Sequence, residues 1–165
     1  MSRAEDLIRI LGLKPHPERG HFVETYRANM AVLATSHPGP RAASTGIYFL
    51  LAHPQRATFL HRLISDELFH LYEGGPLDVL LLGPDNRAEK RRLGLAVELG
   101  ERPQMVIPAG TWFGTELGSG VSHCLWGCTV APGFEFADFE LAQGTELALR
   151  YPEHAATIAR MTRPG

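Results

Sequence analysis

A chain of 165 residues, 44% hydrophobic and 21% charged, suits one domain with a buried core, which excludes a disordered chain. A formal net charge of −2, with no basic run or stripe, excludes a nucleic-acid footprint. The acidic start Met1-Ser2-Arg3-Ala4-Glu5-Asp6 does not read as a signal peptide, and no apolar run reaches the roughly 20 residues that span a bilayer.

Ala4, Leu7, Ile8 and Leu11 recur at helical spacing, so a short amphipathic helix over Ala4 to Leu11 is predicted to end at Gly12. The two prolines in Lys14-Pro15-His16-Pro17-Glu18-Arg19-Gly20 argue against regular structure there. Phe22 to Arg27 reads as a strand, and Thr35 to Arg41 as a loop. Short β-rich runs then alternate with Gly/Pro turns: Thr45 to Leu51, Thr58 to Leu63, Glu67 to Tyr72 and Leu77 to Leu82. Gly83-Pro84-Asp85-Asn86 is a hairpin turn, after which Lys90 to Leu99 pairs back. Its charges, Glu89-Lys90-Arg91-Arg92, read as a solvated hairpin arm. Met105 to Ile107, Thr111 to Glu116 and Val121 to Val130 complete the series. Such a succession is the signature of a sandwich or barrel. Beyond Pro132-Gly133, Glu140 to Arg150 and Pro152 to Met161 carry helical spacing. Cys124 and Cys128 share a strand face but lie too far apart along it to bond, and read as reduced thiols of a cytoplasmic protein.

Chemistry concentrates in His61 to Gly74. A hairpin brings His61 and Glu67 to one barrel mouth, where imidazole and carboxylate suit an acid–base pair or a divalent metal. On the strand that follows Gly20, alternation gives Glu24 and Tyr26 one face and Thr25 and Arg27 the other. Tyr26 with Glu24 would supply an acid and a base; Arg27 would bind an anion. A strand bearing salt bridges at a dimer seam is the plainer reading. Tyr48 alternates with Ile47 and Phe49, so only one set faces inward. Trp112 and Phe113 offer an aromatic lining for a sugar ring or an apolar ligand. His70 differs in parity from Glu67 and is expected on the opposite face, while His123 is open between barrel and surface. Pro132-Gly133-Phe134-Glu135-Phe136 is expected to cross the barrel as a structural segment.

His61, Glu67 and Gly74 match the first cupin motif, Gly-x5-His-x-His-x3-4-Glu-x6-Gly, with Leu63 in place of its second histidine. Pro108-Ala109-Gly110 resembles the turn of the second motif, with Phe113 at its histidine position. Two of the usual four metal ligands are thus replaced by groups that cannot bind metal. Further runs sharpen the likeness: Gly20-His21-Phe22-Val23-Glu24-Thr25-Tyr26-Arg27, Gly46 to Leu51, His61-Arg62, Asp66-Glu67, Gly74-Gly75-Pro76-Leu77, and Gly127 to Glu140. From about Leu11 to about Ile158 the chain resembles a small cupin family catalogued as a domain of unknown function. It departs from that pattern at Phe69, where Trp is frequent, at Arg19, where Gly is common, and at His21, where Tyr is common.

The resemblance implies a mainly β fold: a cupin jelly-roll β-barrel over 1–165, with a short N-terminal helix, C-terminal helices, and pairing as a homodimer. It also implies a structural relation to sugar epimerases of the deoxyrhamnose pathway. The function expected is binding of a carbohydrate-like or sugar-nucleotide-like molecule in the barrel mouth, with epimerase or isomerase chemistry. His61, Glu67 and Tyr26 are the catalytic candidates, and Glu24, Arg27, Tyr48, Arg62, Trp112 and Phe113 the ligand-binding ones. Two alternatives stand beside it. One is a binding module without catalysis. The other is a metal-dependent enzyme with an atypical set, His61, Glu67 and His123, in which a divalent metal would be the cofactor. No nucleic-acid or membrane partner is expected.

Overall fold

A computed structural model describes residues 1–163 of the chain. Helix α1 (Arg3–Leu11) is capped by Ser2, whose hydroxyl accepts from the Glu5 N–H at 3.3 Å while the Glu5 carboxylate accepts from the Ser2 N–H at 2.6 Å. Gly12, at φ 67°, ends it. Among the described residues thirteen strands follow: β1 (Lys14–Pro15), β2 (His21–Arg27), β3 (Ala31–Val32), β4 (Arg41–Ala42), β5 (Thr45–Ala52), β6 (His61–Leu63), β7 (Asp66–Gly74), β8 (Leu77–Leu82), β9 (Ala88–Leu93), β10 (Gln104–Ile107), β11 (Trp112–Leu117), β12 (His123–Ala131) and β13 (Phe139–Leu141). Helices α2 (Gly144–Arg150) and α3 (Ala155–Arg160) close the chain.

The strands form two facing antiparallel sheets, ordered β1-β2-β5-β12-β7-β10 and β13-β6-β11-β8-β9, with β3 and β4 as a separate hairpin. Alternation along each strand sorts the side chains. Phe49, Leu51, Phe69, Val79, Leu81, Phe113 and Trp126 meet in the core between the sheets. Leu50 and Leu125, one residue out of step, face outward and are covered by Leu7 of α1 and by Leu13. Leu80, Leu82 and Trp112 face outward from the five-stranded sheet and are covered by Leu147, Tyr151, Ile158 and Met161 of the C-terminal segment. Both outer faces thus keep an apolar patch that a helix must cover.

Four sequence expectations are corrected. Lys14-Pro15 does form a strand, pairing with Phe22 and His21, because an edge position needs no proline N–H. Thr58 to Leu63 is regular only from His61 onward. Lys90 to Leu99 pairs back only as far as Leu93, and Val97–Leu99 is a single 3-10 turn. The helical spacing read from Glu140 begins at Gly144, since Phe139–Leu141 pairs with Leu63, Arg62 and His61 at the free edge of β6.

The loop between β1 and β2 turns tightly across the sheet. Arg19 and Gly20 both lie in the left-handed region, at φ 74° and 71°. A Cβ on Gly20 would stand 2.5 Å from Phe49 Cε1 and 2.8 Å from the Leu50 carbonyl oxygen. Only glycine fits that approach. Arg19 holds a conformation that costs a non-glycine residue about 1 kcal/mol. Its guanidinium sits 4.0 Å from the centre of the Phe59 ring, a cation–π contact that offsets part of this.

Gly20→Ala is expected to destabilise the protein by about 2–4 kcal/mol, combining a disfavoured φ with a backbone clash. Gly12→Ala has the same sign of φ but open space around it, and should cost only about 1 kcal/mol. Urea denaturation of the two variants checks the difference; equal losses would contradict the close packing at Gly20.

Candidate functional site

Between the two sheets, at the end covered by residues 132–138, lies a cavity of about 100 Å³. Its floor and walls come from both sheets. Glu67, Phe69, Trp126 and Cys128 project from the six-stranded sheet, and His61, Leu63, Phe113 and Thr115 from the five-stranded one. His16 and Glu18 enter from the β1–β2 loop. Phe134, Glu135, Phe136 and Phe139 close the mouth.

His61 is the second residue after Phe59, and the Phe59 N–H donates to the Glu18 carbonyl at 2.8 Å. That bond sets the loop beside the strand and brings the Glu18 carboxylate to 2.8 Å from His61 Nδ1. The Phe59 carbonyl oxygen lies 2.9 Å from the same nitrogen. Two acceptors on Nδ1 require that it carry the proton. The lone pair of the neutral ring is therefore on Nε2. The ring is held by Phe113, its partner across the β6–β11 pair at 4.1 Å between centroids, and by Phe139 at 5.3 Å.

Charge in this space is tightly coupled. Burial disfavours the His61 imidazolium, but the charge and hydrogen bonding of Glu18, the charge of Glu67 and the Phe59 carbonyl outweigh it, and its pKa lies above the usual value. Burial pushes the Glu67 carboxyl from 4.5 up to about 7; His61 opposes this, Glu18 adds to it, and contact with the Cys128 thiol opposes it. Burial also depresses His16, whose Nδ1 accepts from the Glu18 N–H at 3.2 Å, so this ring stays neutral. The Cys128 thiol is driven well above its ordinary pKa by burial and by the Glu67 and Glu18 carboxylates. Glu67 Oε2 and Trp126 Nε1 are buried without a hydrogen-bond partner among the described residues.

At the mouth, a bulge in β2 changes the expected parity. The register against β5 slips between Glu24 and Tyr26, so that Glu24 and Arg27 fall on one side. Arg27 Nε and Nη2 donate to the two Glu24 carboxylate oxygens at 2.9 and 2.8 Å. Nη1 donates to Glu135 at 2.9 Å, and Nη2 also to the Phe134 carbonyl at 3.1 Å. The crossing segment is anchored by Arg41, which is bidentate on Asp138 at 2.7 Å for each bond. The Phe134 N–H bonds to Thr45 Oγ1 at 2.9 Å.

His61, Glu67, Glu24, Arg27 and Phe113 thus line one space. The other sequence candidates lie elsewhere. Tyr26 is 58% exposed, turned out by the bulge. Tyr48 packs edge-on against Tyr72 on the outer face, one residue out of step with Ile47 and Phe49. Arg62 faces out, bonded to Glu140 at 2.7 Å and stacked over Trp112, which itself belongs to the outer cluster. His123 binds Glu73 at 3.2 Å, outside the cavity. His70 also stands outside it, its Nε2 at 3.1 Å from Thr129 Oγ1. Arg27, expected to bind an anion, has four of its five N–H donors engaged internally. Sequence reasoning missed His16 and Glu18. Their signal was a histidine between two prolines and a glutamate directly after the second, just ahead of the strand that carries Glu24. It also took residues 132–136 as structural, although Phe134, Glu135 and Phe136 form the mouth.

The donors present do not fit a resident metal ion. Leu63 and Phe113 line the cavity as hydrocarbon at two of the cupin ligand positions, which leaves only His61 Nε2 and the Glu67 carboxylate of that set. Among the described residues no three His, Cys, Asp or Glu side chains group as metal ligands. No helix among them is long and apolar enough to cross a membrane.

A family model described as Cupin superfamily (DUF985) matches residues 5–142. The X-ray structure of protein SO0799 from Shewanella oneidensis is similar at 34% identity and a TM-score of 0.89, with 100% of each chain covered. The uncharacterized protein YML079W of Saccharomyces cerevisiae is 29% identical over 176 residues, covering 96% of this chain and 85% of its own. An oxalate decarboxylase of Bacillus subtilis shares the fold alone, at 12% identity and a TM-score of 0.54, over 89% of this chain and 36% of the other.

Because Glu67 is protonated more readily in the folded state than in the unfolded one, it binds the extra proton between about pH 4.5 and 7. Its contribution is full below pH 4.5 and is lost as pH rises through about 7. A displacement from 4.5 to about 7 corresponds to about 3 kcal/mol. Glu67→Gln should therefore gain about that much on wild type between pH 4.5 and pH 8 in denaturation experiments, which separates Glu67 from the nearby histidines. A constant difference between the two proteins across that range would contradict the buried carboxyl.

Proposed function

The chain belongs to the cupin superfamily (DUF985), and from that premise we propose that its cavity binds a small carbonyl compound and moves a proton at the carbon beside the carbonyl, as an isomerase or epimerase does. One observation carries the reading: an imidazole nitrogen and a buried carboxyl with an unpartnered oxygen project into a single space from opposite sheets. A flat intermediate lying between the sheets would meet one on each face.

His61 Nε2 takes the proton from the carbon, and the C–H electrons pass into the carbonyl to give an enolate. Glu67, its carboxyl raised to about 7 by burial and so protonated in about half of the molecules at neutral pH, donates to the opposite face of that carbon. The centre is inverted, leaving an imidazolium and a carboxylate. Glu18 stabilises the imidazolium through Nδ1. Proton exchange with water resets the pair. Trp126 Nε1 is a donor without a partner, suited to an oxygen of the bound molecule.

The cavity volume narrows the ligand. About 100 Å³ is the room of roughly three waters, well below the ~300–1,000 Å³ of a drug-sized pocket. That supports a compound of a few carbons, or the reacting end of a sugar, over an enclosed sugar nucleotide.

Hydroxyacetone or glyceraldehyde incubated with the protein in heavy water should take up deuterium beside the carbonyl, as followed by proton NMR. His61→Gln should slow that uptake by about 10²- to 10⁴-fold, the range of a positioned acid or base. Tyr26→Phe should leave it unchanged. Uptake by His61→Gln at the wild-type rate would sink the proposal.

A further inference from the structure

The charges around this cavity do not balance. Its ionisable lining comprises Glu18, Glu24, Glu67 and Glu135 against Arg27, His61 and the neutral His16, with the Cys128 thiol beside them. Glu18 accepts from His61 Nδ1, which bears its proton in either charge state of the ring. Arg27 pairs with both Glu24 and Glu135, and Arg41, whose charge also reaches Glu135, is already paired with Asp138, so the mouth holds one carboxylate in excess. The guanidinium has a single N–H left, too few for the two-pronged grip by which arginine takes carboxylate or phosphate. Deeper in, Glu67 is more than nine-tenths buried, lines the cavity and has an unpartnered oxygen. That is an independent mark of a ligand group still to be met. Glu67 Oε2 and Trp126 Nε1 are the buried polar atoms without partners among the described residues, so a preference among ligands is set by the surplus charge at the mouth; aromatic, aliphatic and threonine side chains make up the remaining walls.

We propose that the cavity selects a small protonated amine, such as an amine-bearing carbonyl compound, over carboxylates and phosphates, with Glu135 and Glu24 at the mouth making that choice. The ammonium N–H groups would lie against the surplus carboxylate, and the carbonyl end would reach His61 and Glu67. Phe134 and Phe136 beside Glu135 supply ring faces that favour a cation. The selection rests on the reading of the cavity as a ligand site, but not on the proton transfer.

Three stable compounds of one size test it: ethanolamine, ethylene glycol and glycolate, cationic, neutral and anionic in turn. Each is titrated into the intact protein while the two indole N–H signals are followed by nitrogen–proton NMR. Trp126 lines the cavity and reports binding there; Trp112 lies under the C-terminal helices and reports disturbance elsewhere. Ethanolamine is expected to move the Trp126 signal alone and to bind about tenfold more tightly than glycolate, the scale of one unpaired charge near the surface. Glu135→Gln should remove most of that preference with the Trp112 signal unchanged, and Glu24→Gln should do the same. Tighter binding of glycolate would overturn the charge selection while leaving a ligand site. No shift of Trp126 with any of the three would overturn the inference outright, and the deuterium experiment would still judge the proton transfer on its own. An ethanolamine preference that survives both substitutions would also overturn it.

Discussion

The contact between the Glu18 carboxylate and His61 Nδ1 holds the site together. It joins a proline-braced loop at the edge of one sheet to a short strand of the other. The contact fixes the tautomer of the ring, directs Nε2 away from the loop, and gives the buried imidazolium a counter-charge. Breaking such a pair by removing one partner typically costs about 3–5 kcal/mol, because the remaining charge is stranded. The tight turn at Arg19 and Gly20 exists to make this approach: the chain passes over Phe49 at a distance that admits no side chain on Gly20.

The rest of the site follows from two sheets of unequal width. The six-stranded sheet carries Glu67 and Cys128 and the five-stranded sheet carries His61, so these groups meet face to face in an otherwise apolar interior. Residues 132–138 then cross the open end. Their anchors differ in exposure. Arg41 and Asp138 are almost sealed from water, whereas the Arg27 contacts with Glu24 and Glu135 are open to it. One end of the crossing is held by a shielded ion pair, and the mouth itself by exposed pairs that contribute little to stability. Such an arrangement leaves the mouth free to answer to what binds there.

Much of the barrel was legible in the sequence because alternation and Gly/Pro turns are local signals. Leu77 to Leu82 was read to the residue, and the capping of α1 is written in Ser2, Glu5 and Gly12. His61 and Glu67 were legible through their spacing against Gly74. The β2 bulge was not. One slipped residue exchanges Tyr26 for Arg27 beside Glu24, and period-two reasoning has no means of detecting it. Trp112 and Phe113 were grouped as one aromatic lining, although adjacent strand residues must face opposite ways; only Phe113 enters. Glu18 was missed because its role depends on a backbone bond to Phe59, some forty residues away in the chain.

Nitrogen-15 NMR of the His61 ring across pH tests the account most directly. The structure predicts a neutral ring protonated on Nδ1, a pKa above the usual histidine value, and a fall in that pKa when Glu18→Gln removes the counter-charge. A ring protonated on Nε2, or a pKa indifferent to Glu18→Gln, would contradict it.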